Sequence, residues 1–299
     1  MKLQYRKQEN DTYQTIYDIL KQEWKLSNRC ILKIKQADQI QLNNQPARTW
    51  FTIKTGDCIE AIIDVEQIQE NIVATPMLLN ILYEDEAFLI LDKPAGIPVH
   101  PSMSHYETSL ANGVQYYFQQ CNVRIGIHPV NRLDKNTSGI VVFAKNAYIQ
   151  EQCIRQMQAG TFQKEYWAIC EGILEVQEGS INAPIARKQG SIIEREVNKE
   201  KGAKAITHYQ VEKVLYIEEK PYSLVRCQLE TGRTHQIRVH FAHIGHPLVG
   251  DDLYGSTSNL SDRQALHACS IRFIHPLYKQ EMHIISELPE DLQKMRSLL

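Results

Sequence analysis

The sequence predicts an α+β protein: a small module of two helices and short strands, then a larger domain on a mixed, mainly antiparallel sheet. Three observations carry this. Residues 13–35 hold apolar residues at helical spacing, whereas from residue 80 onward apolar, β-rich runs bounded by Gly, Pro or polar turns dominate. Those runs often follow each other without a crossover helix, which favours antiparallel pairing over a doubly wound parallel sheet. A chain of 299 residues, 43% of them hydrophobic, is long enough for one large core and a second small one.

In chain order, Tyr13 to Leu26 places Ile16, Tyr17, Ile19, Leu20 and Trp24 close to one helical face. Ser27 is a cap for a second short helix over Asn28 to Lys35. Ile40-Gln41-Leu42, the turn Asn43-Asn44-Gln45-Pro46, and Gly56-Asp57 ahead of Ile59 to Ile63 read as a hairpin-like ending. The polar Glu66 to Asn71 gives way to Thr75-Pro76 without a sustained period, as a linker would. The expected division is therefore a small module at 1–70, a linker at 71–80 and a large domain at 81–299. In the large domain, strands are expected at Ala87 to Asp92, Ile140 to Ala144, Phe162 to Cys170, Ala203 to Leu215, Tyr222 to Leu229 and Ala268 to Ile274. Helices are expected at Ser109 to Cys121, Ala147 to Ala159 and His235 to His243.

Composition narrows the function classes. No stretch approaches the roughly 18 consecutive apolar residues of a membrane span, and the N-terminus is polar without an apolar signal core, so a cytoplasmic protein without a membrane partner is expected. The seven cysteines are scattered and contain no Cys-x-x-Cys, against a disulfide framework or a thiolate zinc site. A net charge of −2 neither supports nor excludes nucleic acid, because a local basic groove is invisible in the sum.

Four segments hold the candidate chemistry. His128-Pro129-Val130-Asn131-Arg132-Leu133-Asp134-Lys135-Asn136-Thr137-Ser138-Gly139 sets an acid among cations and turn formers just before an apolar strand, where loops commonly carry chemistry. Leu91-Asp92-Lys93-Pro94-Ala95-Gly96-Ile97-Pro98-Val99-His100-Pro101 is a strand end running into a stiff turn; it either presents His100 at a rim or is simply a rigid loop. In Lys164-Glu165-Tyr166-Trp167, strand alternation puts Tyr166 and Ala168 on the face opposite Glu165 and Trp167, so Tyr166 either lines a pocket or packs in the core. From Glu230 to Gly255, Thr234 can cap a helix, and Arg233 and Arg238 bracket its start, a place to hold a phosphate or neutralise a carboxylate. Its histidines His235, His240, His243 and His246 serve capping and packing, or, with Asp251-Asp252, a metal. His240-x-x-His243 lacks the Glu of a His-Glu-x-x-His site, so no metal is assigned.

In order and spacing, "LDKPAGIPVHP", "HPVNRLDKNTSGIVVFAKN", "KEYWAICEG" and "ETGRTHQIRVHFAHIGHPLVGDDLYG" resemble the signature segments of the RluA-type pseudouridine synthase family over roughly residues 80–285. "IQLNNQPA" and "KTGDCIEAII" loosely resemble the turns of the αL RNA-binding fold, with Arg29, Lys33 and Lys35 as the basic residues of the second helix. The resemblance implies that Asp134 is the catalytic carboxylate, that Tyr166 stacks on the target base, and that Arg238 pairs with Asp134. It implies that Arg132 enters the RNA stack as the uridine leaves it; Asn131, His100, Arg233 and His235 complete the expected RNA-binding set. Family members usually carry His where Asn131 stands and often Asp where Asn136 stands, so altered RNA contacts or local hydrogen bonding are expected there.

The implied chemistry suits these residue types. Detaching uracil at N1 and rejoining it through its C5 to the same ribose carbon changes no atom count and needs no cofactor. One aspartate can attack the anomeric carbon or remove a ribose proton. The base must first be unstacked, at a cost of a few kcal/mol. The expected partner is structured RNA, large-subunit ribosomal RNA foremost, and the expected state a monomer. The alternatives are a transfer-RNA enzyme of the same family, a non-catalytic RNA-binding protein and a metal-dependent hydrolase.

Overall fold

Two sheets are joined through a shared hydrophobic cluster, and that junction sets the small N-terminal module against the large sheet. The computed structural model describes residues 1–63, 72–123 and 125–297. At the N-terminus, β1 (Lys2–Arg6), β2 (Ile40–Leu42), β3 (Gln45–Pro46) and β4 (Cys58–Ile62) pair antiparallel in the order β1-β4-β2-β3. With them go α1 (Ile16–Asp18), continuing as a π-helical turn (Ile19–Glu23), and α2 (Asn28–Gln36), whose N-terminus Ser27 caps as expected. Strand β1 falls in the polar N-terminal stretch, where no strand is expected; its buried Leu3 lies between exposed neighbours.

The expected helix over 13–26 is shorter and wound differently. Thr15 and Asp18 form a capping box that starts α1, and Trp24 N–H then reaches Ile19 O at 2.9 Å, five residues back. Trp24 and Ile19 are both buried in one cluster, whereas Tyr17 is exposed, off the expected apolar face. The Asn43-Asn44 turn is present, both residues having positive φ (52° and 63°), as a tight hairpin turn requires. The polar run at 66–71, including the first residue of the expected linker, lies outside the described residues.

The large part contains β5 (Ile81–Glu84), β6 (Phe88–Lys93), α3 (Leu110–Gln120), β7 (His128–Pro129), β8 (Ser138–Ala144), α4 (Ala147–Gln158), β9 (Gln163–Glu171) and β10 (Glu178–Asn182). The short β11 (Ile185–Arg187) and β12 (Arg195–Val197) form their own hairpin, ahead of β13 (Ile206–Ile217) and β14 (Lys220–Leu229). Helix α5 (Gln236–His243), β15 (Leu266–Ile274), β16 (Glu281–Ile285) and α6 (Glu290–Ser297) complete it. One sheet runs β10-β13-β14-β9-β15-β8-β6-β5, with β7 added to β8 and β16 to β15. Among the described residues every strand pair in it is antiparallel except β8 with β15. The expected α+β class and the six expected strands are borne out, with ends shifted by up to a few residues. The β13–β14 hairpin is longer than expected because its turn is Glu218-Glu219, both at positive φ, a pair that carries none of the usual Asn-Gly signal.

The parallel seam positions the site. At Gly139, φ is +110° and an added Cβ would stand 2.2 Å from Ala268 O and 2.7 Å from Ala268 N. Only glycine permits this approach. Ala268 pairs with Gly139 on one side and with Tyr166 on the other, so one row across three strands ties the segment after Asp134 to Tyr166.

Against the same sheet lies the N-terminal module. One buried cluster includes Ile19, Trp24, Leu26 and Ile59 together with Val142, Tyr148, Ile149 and Phe273. Gln152 Nε2 donates to Trp24 O at 3.2 Å across the junction. No helix among the described residues is long and apolar enough to cross a membrane.

Candidate active site

The turn that carries Asp134 is held at almost every residue. Asp134 O accepts from Thr137 N at 3.1 Å, closing the turn. Lys135 O accepts from Gly96 N at 3.0 Å and from Lys93 Nζ at 2.9 Å. Lys93 is fully buried and donates also to Pro94 O (2.9 Å) and Ile97 O (2.8 Å). Burial draws its ammonium down to about 7, against the opposite pull of the Asp134 charge. Arg263 Nη1 donates to Asn136 O (3.0 Å), Gln264 Nε2 donates to Thr137 Oγ1 (3.1 Å), and Ser138 Oγ lies 3.0 Å from His267 Nδ1. The stiff segment after β6 is thus more than a rigid loop, because Lys93 and Gly96 clamp the turn behind Asp134.

Asp134 itself is part-buried, its side chain 23% exposed. Its Oδ2 accepts from Arg238 Nη1 at 3.1 Å, and His235 Nε2 is 3.9 Å away. No partner of Oδ1 is found among the described residues, which leaves that oxygen available to a ligand. Arg238, in the first turn of α5 and 6% exposed, commits Nε (2.7 Å) and Nη2 (2.8 Å) to the two oxygens of the fully buried Asp251. The Tyr254 ring lies 5.0 Å from its guanidinium carbon. Burial works against the charge on Arg238, but Asp251 and then Asp134 outweigh it and keep the guanidinium firmly protonated. A bidentate pair fixes the guanidinium plane. Arg238 is therefore not free to hold a phosphate at the helix start, one of the two uses its position suggested.

Tyr166 comes from β9, 6% exposed, in a cluster with Ala168, Phe241 and Leu266. It also lines a cleft of about 1040 Å³ together with Asp134, Arg132, His100 and Arg233. Both readings of this residue hold at once: its body packs while part of it faces the cleft. Burial, followed by the Asp134 charge, pushes its phenol up.

The helix start corrects the expected Thr234 cap. The N-cap is His235 in the left-handed region (φ 58°, ψ 20°), and it makes no side-chain capping bond. Such a non-glycine conformation costs on the order of 1–3 kcal/mol unless its surroundings hold it. Here Gln236 ties the segment leading into the helix: its Oε1 accepts from Arg233 N (3.0 Å) and Thr231 Oγ1 (2.8 Å), and its Nε2 donates to Ile206 O (2.9 Å). His235 Nδ1 lies 2.8 Å from Tyr254 Oη, which accepts from Arg195 N at 2.9 Å.

The remaining expected RNA contacts divide. Arg132 is exposed and without a hydrogen-bond partner among the described residues, and Arg233 is exposed with Nε on Lys204 O at 3.0 Å. His100 lines the cleft, its imidazole pKa lowered by burial and by Arg132. Asn131 also lines the cleft, and at 8% exposure its amide donates to Ile140 O (2.9 Å) and accepts from Val142 N (2.8 Å), fastening the loop to β8 by the local hydrogen bonding that is one of the two expectations for this position. His240 is likewise structural, with Nδ1 2.9 Å from Thr207 Oγ1 and Nε2 2.9 Å from Ala183 O.

Sequence reasoning missed Lys164, Asp251 and Tyr254. Lys164 stands two residues before Tyr166 on the same strand face and lines the same cleft, and its ammonium has no hydrogen-bond partner among the described residues; burial lowers its pKa. Strand period could have found it. From the sequence Asp251 is a candidate only as a metal ligand, since nothing in its spacing links it to Arg238.

A model of the RNA pseudouridylate synthase family matches residues 87–243. The uncharacterized RNA pseudouridine synthase YjbO of Bacillus subtilis is 39% identical over 271 residues, covering 90% of this chain and 94% of that one. Ribosomal large subunit pseudouridine synthase D of Xanthomonas campestris pv. campestris is 35% identical over 284 residues, covering 89% of this chain and 82% of that one. Among solved structures, human RNA pseudouridylate synthase domain containing 1 shares the fold, with a TM-score of 0.58 at 23% identity over 74% of this chain and 94% of that one.

Proposed function

Given that the chain belongs to the RluA-type RNA pseudouridine synthase family, we propose that it isomerises uridine in large-subunit ribosomal RNA, with Asp134 as its single catalytic carboxylate. The observation that carries the second half is the state of the acids in the cleft. Among the described residues two line it, Asp134 and Glu230. Glu230 is the more exposed (side chain 49%) and pairs through Oε1 with the part-exposed His208 at 2.7 Å, whereas Asp134 is part-buried (23%), with Oδ2 on the buried Arg238 guanidinium and Oδ1 turned to the cleft without a partner among the described residues.

In this reading the uridine leaves its stack and enters the cleft, with Arg132 taking its place. Asp134 Oδ1 then acts at the ribose, either by bonding to C1′ or by removing a ribose proton; in both cases the C1′–N1 bond breaks. The freed uracil turns against Tyr166 and C5 bonds to C1′, as the Oδ1–C1′ bond breaks on the first route or as Oδ1 returns its proton to the ribose on the second; the C5 hydrogen leaves and N1 takes up a proton. Arg238, itself immobilised by Asp251, holds Oδ2 so that Oδ1 needs no reorganisation during the reaction. Lys164 and Arg233 supply positive charge where the RNA backbone flanks the opening.

Ribosomal RNA is favoured by the relatives named as large-subunit enzymes, which align over more than four-fifths of their own length in the Xanthomonas case. The division at 1–70, 71–80 and 81–299 fits this role, with exposed Arg29, Lys33 and Lys35 of α2 as the RNA-facing charges of the first module. Pseudouridine is mapped in total RNA from cells lacking the protein and from cells rescued with wild type or with Asp134→Asn. One or more large-subunit sites disappear and return only with wild type. Restoration by Asp134→Asn, or no lost site, overturns the proposal.

A further inference from the structure

We propose that His235 is a positioning residue for Asp134: a neutral imidazole protonated on Nε2, set in that tautomer by Tyr254, which becomes a second N–H donor to Asp134 Oδ2 when RNA fills the cleft. The inference rests on the reading of Asp134 as the catalytic acid.

The tautomer follows from counting protons along one chain of contacts. Arg195 N–H from β12 donates to Tyr254 Oη at 2.9 Å. Tyr254 Oη in turn lies 2.8 Å from His235 Nδ1. Were Nδ1 to carry the proton, the Tyr254 hydroxyl would accept twice and its own proton would have no acceptor among the described residues. With Nδ1 accepting, every donor is matched and the ring proton sits on Nε2. That nitrogen is the one that faces Asp134, 3.9 Å from Oδ2.

The surroundings favour the neutral ring. Burial lowers the His235 pKa; Asp134 and, more weakly, Asp251 raise it, while Arg238 and Arg195 lower it. The backbone serves the same end, since the left-handed conformation of His235 (φ 58°) directs the ring to the start of α5 beside Tyr254, with the two rings edge to face at 5.7 Å. At 3.9 Å the Nε2 contact is longer than a hydrogen bond, and under about one ångström of approach makes it one. Oδ2 would then be held from two sides, by Arg238 and His235, and the free Oδ1 would be aimed along one direction. Because Arg195 belongs to the β11–β12 hairpin, the same contacts tie that hairpin to the catalytic turn.

Two measurements on the full chain test this. Total RNA labelled at uridine C5 with tritium, prepared from cells lacking the protein, releases tritium when uridine is isomerised, whichever RNA is the substrate. In single-turnover reactions His235→Leu is expected to slow release tenfold or more while RNA affinity stays within about twofold. His235→Gln, which keeps an N–H donor of similar reach, should return to within about threefold of wild type. Nitrogen NMR of the histidine-labelled protein near pH 7.5 should find His235 as the Nε2–H tautomer, and Tyr254→Phe should give a mixture. A Leu variant as fast as wild type, a Gln variant as slow as Leu, or an Nδ1–H or protonated ring in wild type overturns the proposal. Absence of tritium release by wild type overturns the synthase reading itself and with it the use of His235, while NMR still decides the tautomer.

Discussion

Arg238 reaches Asp134 with the guanidinium nitrogen that Asp251 leaves uncommitted: Nη1 stands 3.1 Å from Asp134 Oδ2 while Nε and Nη2 are bound to Asp251. The pairing is hierarchical. Asp251, fully buried, sets the plane of the guanidinium, and that plane sets where the remaining N–H points. One oxygen of the part-exposed Asp134 is thereby fixed and the other left open to the cleft.

Asp251→Ala should destabilise the protein by about 3–5 kcal/mol, the usual cost of removing one partner from a buried ion pair. Urea titration of the purified variant measures it. A loss below about 1 kcal/mol would show that Arg238 is held by something other than Asp251.

Arg238→Lys keeps a charge but cannot grip Asp251 with two parallel bonds while also meeting Asp134. Turnover is expected to drop at least tenfold with little change in RNA affinity, because the residue is buried behind the acid rather than on the RNA path. Single-turnover rates and a filter-binding isotherm, taken on the same RNA, separate the two effects.

Lys93→Met removes the donor that Pro94 O, Ile97 O and Lys135 O share, and each buried carbonyl left without a donor costs about 1–3 kcal/mol. Lys135 O retains Gly96 N, so the loss falls mainly on the other two. The expected outcome is a destabilised chain whose 134–137 turn exchanges amide hydrogens faster, read by hydrogen exchange at Thr137 N.

Stability should decline as pH falls below about 6.5. His128, His240 and His267 are buried and their pKa values lie below the ordinary imidazole range because burial disfavours the charged ring. In the unfolded chain they take up protons near pH 6.5, in the folded chain only at lower pH, so the unfolded state binds more protons in that interval. The stabilisation is complete above about 6.5 and is lost as pH drops toward the folded values. Urea midpoints at about pH 7.5 and 5.5 check the sign; an equal or higher midpoint at the lower pH contradicts it.

Gly139→Ala should prevent or severely impair folding, since its Cβ would press into the Ala268 backbone at 2.2 Å and the residue sits at φ +110°. Soluble yield and circular dichroism report the result. Recovery of a native spectrum would mean that the seam can open without loss of the sheet.

By itself the sequence determined the class of fold, the main strands, the Ser27 cap, the Asn43-Asn44 turn and the identity of Asp134, Tyr166 and Arg238 as residues to examine. These are local matters: period, capping chemistry and a recognisable order of segments survive in one dimension. Where local chemistry was silent the reading failed, as with the Glu218-Glu219 turn, the π turn at Ile19 and the left-handed His235 read as following a Thr234 cap. Tertiary structure alone decided that Asp251 belongs to Arg238, that Lys93 anchors the turn 42 residues away, that Asn131 braces β8, and that Tyr254 connects Arg195 to His235. Each of these depends on a distance between segments remote in the chain, and such distances come into being only when the β8–β15 seam closes and the loops on either side of it are brought together.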